Sequence, residues 1–562
     1  MSEKLRMSSC KIMKFHLDGD VYPLDWWESV PTKAPFDIST LPSIDHAMHA
    51  LHNVKFHLGH ICRFLRDDLA AQIREFYDSR GAPGAGQSRM WFIKFLLVLA
   101  FGKAFSSRTK SHGAPPGSSW FLRAMSLMPN HTSTGQDSLA VIENLALAAL
   151  YLYAIDHRER AHSHVRTEII ERLLSRTRSG SLCPMIPQVG QAIRIAQLEG
   201  LHTQLPEDEL GYLTVRRCRS LWWSLYILDR QISSSLGLPM TVKDIDITAL
   251  VDPPGAIPED PTLSLQVRLS QMMSSILSEV YRTDKTQLGP FLEVTRGILQ
   301  AMASLAEEIE KIFPAGFHAS LDIMPHDLRY IILLYHQCVI TATRPLLLSV
   351  LQARLGKLGR AEEEWHEAVA LPKSLLSTGI RSAVKTLEIL SDENIVLEKF
   401  LPSDLEFAFW AALHLMIART LFHLDPTEAA PSNAGLSILD EIISSGNRVA
   451  EVRRTELTYI QSLFDNLATR TEEEGLHIRA LSKVNEADPG TRVGVASEGQ
   501  PQTSQTDHMT LAWPVWPDTN ISSSAWAGES LSGTLDSLDL IGISSQEFLS
   551  IVDQIGQQGY TS

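Results

Sequence analysis

From Ile44 to about position 468 the apolar residues of this sequence recur three and four positions apart, and period-two alternation is nearly absent. Residues at that spacing share one face of a helix, whereas a half-buried strand needs strict alternation, so the pattern predicts an all-α body with little sheet. Ala47, Leu51, Val54 and Leu58 open the rhythm in a helical stretch reaching about Asp78. Further helices are expected over 89–107, 136–156, 165–178 and 188–199, with Gly- and Pro-containing breaks at 111–117 and 184–187. Gly200 follows the 188–199 helix and suits its left-handed closing position. The strongest pattern is 214–236, where Leu221, Leu225, Leu228, Ile232 and Leu236 form one apolar stripe that Gly237 and Pro239 stop. Helical patterns then recur at 265–284, 290–312, 326–355, 375–392, 403–424, 436–446 and 447–468. The expected architecture is a large multi-helix body over 44–470, without internal repeats.

The flanks read differently. Residues 1–43 form an irregular leader, mildly basic at Lys4, Arg6, Lys11 and Lys14 and then broken by Pro23, Pro31, Pro35 and Pro42. Residues 484–510 are rich in Gly, Ser, Thr, Gln and Pro and poor in large apolar groups, so burial cannot offset their ordering entropy and a disordered linker is expected. A C-terminal tail, 511–562, is expected to be disordered too. There Asp536, Asp539, Glu547 and Asp553 interleave with Leu538, Leu540, Ile541, Phe548, Leu549, Ile551 and Val552. Acidic–apolar interleaving fits a transcriptional activation segment, with Phe548 and Leu549 as its apolar anchors for a coactivator groove. The other reading of this tail is a C-terminal helix packed on the body.

The 562 residues carry 50 Lys and Arg against 65 Asp and Glu, a formal net charge of −15, which disfavours a body that coats nucleic acid. The N-terminus lacks the long apolar stretch of a signal peptide. The most apolar segments, Phe95 to Phe105 and Asn144 to Ile155, fall far short of the ~20 residues of a membrane span. A soluble, intracellular chain with no membrane partner is expected. Its five cysteines, Cys10, Cys62, Cys183, Cys218 and Cys338, stand singly, so neither a disulfide framework nor a closely spaced zinc site is expected.

Several residue groups invite a chemical reading. His57, His60 and Cys62 straddle one helix with no acidic fourth ligand in reach, and His157, His162 and His164 lie in a charged loop, so neither set is read as a metal site. Asp67 and Asp68 open DDLAAQIRE, but position 71 is Ala and no second acidic triad follows, which speaks against an all-α terpene-type enzyme. Acidic residues near the positive end of a helix explain the pair. No glycine-rich phosphate loop, no GxSxG elbow and no Cys–His nucleophile context occurs. No enzyme, and no catalytic, cofactor-binding or metal residue, is expected.

The segment AIRIAQLEGLH, followed by RRCRSLWWSLYILDRQISSSLGLPMTVKDIDI, resembles the regulatory region of fungal zinc-cluster transcription factors. Arg194, Gly200 and His202 carry the first part of that pattern. Arg216, Arg217, Trp222, Trp223, Asp229, Arg230, Gly237 and Pro239 carry the second, and Asp244 and Asp246 the third. Tyr335, His336, Arg344 and Pro345 resemble a later helix of the family, and the stretch around Gly446 and Asn447 its closing helical pair. Ile44 to Phe105 resembles regulators found beside secondary-metabolite gene clusters. Read by residue type alone, the arginines and aspartates are ion pairs and caps within the bundle and the two tryptophans are core; the sharper alternative is an effector site.

The resemblance implies a nuclear regulator of RNA polymerase II genes, controlling a metabolic or secondary-metabolite cluster. It implies coactivators, a homo- or heterodimer with zinc-cluster factors, and a small-molecule effector as partners. The family's DNA-binding module holds two zinc ions with six cysteines, and this chain has only Cys10 before Cys62. Its cysteines therefore do not support that zinc. DNA contact needs a module missing from the start of the sequence or supplied by a partner. The alternative is an interaction protein that does not bind DNA and modulates a full-length zinc-cluster factor.

Overall fold

The computed structural model describes residues 21–22 and 40–473, apart from 66–67, 80–88, 108–113, 129–137, 158–187, 237–239, 253–259, 282–287, 313–324, 356–372 and 422–431. Fifteen α-helices and no strand occur among the described residues, so the all-α expectation holds. The leader, apart from residues 21–22 and 40–43, the helix expected at 165–178, the linker and the tail lie outside them.

The N-terminal group is α1 (Ile44–Leu58), α2 (Leu69–Asp78), α3 (Arg89–Ser106), α4 (Ser118–Ser126) and α5 (Ser138–Ala154). Ser43 caps α1 by accepting from the His46 amide. The helical stretch expected over 44–78 consists of two helices, the second starting just after Asp67 and Asp68. At the break Ile61, Cys62 and Phe64 turn into the core, and the Arg63 amide donates to Ser224 Oγ at 3.2 Å. Tertiary hydrogen bonding overrides the local rhythm there. α4 was not legible in the sequence: nine residues, with only Phe121 and Ala124 as its buried apolar positions, make too short a pattern. α3 and α5 bury most of their circumference, as helices apolar all round must.

Next come α6 (Gln188–Leu198), a single turn α7 (Glu207–Leu210), α8 (Tyr212–Leu236) and α9 (Pro261–Ser275). α7 stands inside what the sequence presents as an acidic loop. Asp260 caps α9 by accepting from the Leu263 amide at 3.0 Å, with Pro261 in the first turn where its missing N–H costs nothing. α9 ends in one wide turn of π geometry, Ile276–Val280.

The C-terminal group is α10 (Leu288–Ile312), α11 (His326–Leu355), α12 (Lys373–Leu390), α13 (Ser403–Leu421), α14 (Ser432–Ser444) and α15 (Arg448–Glu473). Between α14 and α15, Gly446 takes φ +94° and Asn447 caps α15 by accepting from the Ala450 amide at 3.1 Å. Tyr22, far away in sequence, donates to the Gly446 carbonyl and accepts from the Arg448 amide. α11 is the one described helix whose length and composition would let it cross a membrane, rather than the segments singled out in the sequence. Its apolar window is 72% buried inside the body, which is how a core helix presents itself.

α8 packs on α5, α6 and α9; α9 in turn packs on α11; and α11, α12 and α13 pack on one another, with α14 and α15 against α13. One contiguous apolar core runs from Val21 to Leu457 through all these groups. Helices α1 to α15 therefore share a single interior.

Candidate functional site

The three parts of the sequence pattern, consecutive in the chain, come together around α8. α6 closes at Gly200, whose φ of +75° is left-handed; the Leu201 amide reaches back to the Ala196 carbonyl at 2.9 Å, a glycine-type helix end. The chain then presents the His202 carbonyl, which accepts from the amides of Thr248 and Ala249, both at 3.0 Å. In this way the end of α6 is stitched to the turn that follows α8. The His202 ring lies 5.7 Å from that of Trp222. Trp222 and Trp223 are both buried in the core, and the Trp223 indole N–H donates to the Leu250 carbonyl at 3.4 Å.

Arg230 is the centre of the arrangement. Leucines at the positions around it bury this face of α8, so its guanidinium is 2% exposed and must find partners within the protein. It donates to Asp229 Oδ2 at 2.9 Å, to the Val242 carbonyl at 2.7 Å and to Asp244 Oδ1 at 2.6 Å, and its plane lies 3.7 Å from the Tyr226 ring. Tyr226 donates to the same Asp244 oxygen at 2.8 Å; burial pushes this phenol far above its ordinary range, so it stays a donor. Asp229, fully buried, accepts from the Thr241 hydroxyl at 2.5 Å and the Thr241 amide at 3.2 Å. A short Thr241–Asp244 segment is thereby tied to α8 through two carboxylates and one guanidinium. Asp246 is exposed on the turn beyond it, and Gly237 and Pro239 lie outside the described residues.

A second ion pair anchors the start of α8. Glu143 on α5 is wholly buried; Arg217 donates to its Oε1 at 2.8 Å and 3.1 Å, while Lys94 of α3 holds Oε2. Three helices thus meet on one carboxylate. Arg194 and Arg216 are exposed.

Tyr335, His336, Arg344 and Pro345 lie on α11 and contribute nothing to the Arg230 network. Tyr335 and His336 are core residues, and the Arg344 guanidinium sits 4.2 Å from the Trp410 ring. Pro345 cannot donate to the Thr341 carbonyl one turn earlier. The Tyr281 hydroxyl, just past the π turn of α9, donates to that orphaned carbonyl at 2.9 Å. Phe548 and Leu549 lie outside the described residues.

Sequence reasoning missed Glu143, Tyr226, Thr241 and Tyr281. A lone Glu inside the apolar run SLAVIENLALAAL was a signal for the first, and the Tyr226–Arg230 spacing of one helical turn for the second. The metal reading of the histidines needs correction. Cys62 is sealed in the core, its thiol pushed up to about 12 by burial. The acidic partner judged out of reach is present: His57 meets Glu398 at 2.6 Å. His157 is buried against the Tyr22 carbonyl at 2.8 Å, and His162 and His164 lie outside the described residues. Burial raises the Cys218 and Cys338 thiols also, which removes their nucleophilic thiolate at neutral pH.

Residues 51–312 match the model of the fungal specific transcription factor domain. Over that stretch the chain is similar to this domain family. The domain includes all three parts of the α8 arrangement and ends with α10. An uncharacterized transcriptional regulatory protein of Schizosaccharomyces pombe is 21% identical over 271 residues, 45% of this chain and 30% of that protein. The chain thus spans under a third of that relative. No solved structure matches the chain.

Proposed function

We propose that this chain regulates transcription by RNA polymerase II in the nucleus, with the helical body as the regulatory part and 511–562 as the activating part. The match of the fungal specific transcription factor domain to 51–312 carries this reading. The α8 arrangement supports it, because the carboxylates of Asp229 and Asp244 and the Arg230 guanidinium join the turn after α8 to the helix. A regulator of this kind converts a binding event into a change of packing, which needs a bistable element and no reaction. The Thr241–Asp244 segment, tied to α8 by the side chains of Tyr226, Asp229 and Arg230, is the candidate for such an element. An effector or partner that competes for Asp244 or Arg230 releases it.

The genes controlled form a metabolic or secondary-metabolite cluster, and coactivators dock on Phe548 and Leu549. Contact with DNA comes through a segment outside this sequence or through a zinc-cluster partner in a homo- or heterodimer. Genome-wide expression after deletion of the gene tests the proposal. Coordinated loss of expression over a contiguous group of genes supports it, and an unchanged transcriptome overturns it. Fusing 511–562 to a heterologous DNA-binding domain tests the tail: reporter activation that falls when Phe548 and Leu549 become Ala is expected.

A further inference from the structure

Where α1 ends and α11 begins, side chains from four separate stretches of sequence meet. His60, just past the end of α1, is 3% exposed, and its Nδ1 has no hydrogen-bond partner. The ring of His326, the first residue of α11, lies 4.6 Å from it and also keeps a buried, unpartnered Nδ1. Asp327 follows. One ligand atom from each of His60, His326 and Asp327 lies within 4.8 Å of the other two. Around them Arg63 pairs with Asp260 at 2.9 Å and lies 3.9 Å from Asp327, Arg329 pairs with Asp404 at 3.0 Å, and His57 meets Glu398.

We propose that His60, His326 and Asp327 hold a divalent transition metal, Zn²⁺ by the chemistry of the donors. Two imidazole nitrogens and one carboxylate oxygen are a borderline donor set of the kind that zinc takes, with a fourth position left for water. Tetrahedral zinc at bond lengths of about 2.0–2.1 Å spaces its donors by roughly 3.3 Å, a closing that side-chain torsions provide. The cluster favours a cation in its charge as well. It contains Asp260, Asp327, Glu398 and Asp404 against Arg63 and Arg329, two more carboxylates than guanidiniums. A buried imidazole nitrogen without a partner is a cost that a metal bond removes. The ion would clasp the matched domain, which ends at position 312, to the helices beyond it.

Full-length protein, stripped with a chelator and dialysed against Zn²⁺, tests this. About one equivalent of tightly held zinc is expected, with Co²⁺ giving the absorption of a four-coordinate site. His326→Gln and Asp327→Asn should each weaken binding by at least about 100-fold, beyond the 10–100-fold typical of losing an outer partner. His49→Gln, on the exposed face of α1, should leave it unchanged. The Asp327 side chain is 42% exposed, so Asp327→Asn keeps the core intact and carries the test if His326→Gln does not fold. Zinc retained by the folded variants as tightly as by the parent chain, or no zinc retained by the parent chain, overturns the proposal.

Discussion

Arg230 shows what a buried charge requires. Its guanidinium is tolerable at 2% exposure only because two carboxylates, a carbonyl and a tyrosine face receive it, so removing any one leaves the rest uncompensated. Asp229→Ala should destabilise the body by roughly 3–5 kcal/mol, read as a lower urea midpoint with an unchanged slope. Arg230→Met, which removes the charge and keeps the volume, should cost less than Arg230→Ala. A second residue gives a pH dependence. His414 is buried beside Arg344, and burial, aided by that cation, lowers its pKa to about 3. Its folded form therefore resists protonation that the unfolded chain accepts near 6.5, so the stability it contributes to is complete above that pH and declines as pH falls from about 6.5 towards 3. The slope from this group is at most about 1.4 kcal/mol per pH unit. Urea midpoints at pH 7 and pH 5 should differ in the parent and differ less in His414→Gln. At this scale the sequence was least informative. The tryptophans and arginines of α8 could be picked out and Glu143 stood out in its apolar run, but Glu398 and Asp404 could not, because a buried carboxylate is defined by partners that other helices bring.

At the scale of elements, the long helices were legible and the exceptions have physical causes. Apolar stripes many turns long specify α3, α8 and α13 by themselves. The Gly59–Asp68 break between α1 and α2 was hidden, because its causes are Ser224 on α8 and Asp260 and Thr262 at the start of α9, all remote in sequence. The proline of α11 is an exception of another kind, since the helix continues through Pro345 and another element satisfies the carbonyl it orphans. Tyr281→Phe should cost about 1–3 kcal/mol by leaving the Thr341 carbonyl unpaired, a loss measurable in the thermal midpoint. Close helix approach sets a further requirement. A Cβ at Gly379 on α12 would stand 2.3 Å from Thr343 Oγ1 and 2.8 Å from His414 Nε2. Gly379→Ala should therefore destabilise despite the better helix propensity of Ala, and circular dichroism with heating would show it.

The whole body is larger than the part that matches a family model. The match ends at position 312, while the apolar core continues through α11 to α15 and Arg63 and His57 in the N-terminal half pair with Asp327 and Glu398 in the other. A fragment ending after α10 should be insoluble or molten, whereas 40–473 should unfold in one cooperative transition; size-exclusion chromatography and calorimetry of the two fragments decide this.

α9 touches both the signature helix and, through the hydroxyl just beyond its final turn, the amide oxygen that a proline strands on α11. If α9 slides or tilts, that oxygen loses the Tyr281 hydroxyl. Small excursions are therefore penalised from their first ångström, and the rod is held either fully seated or fully withdrawn. A disturbance at Trp222 or Arg230 that α9 does transmit would arrive some distance away as a discrete step, which is how a cellular input can become a yes-or-no output.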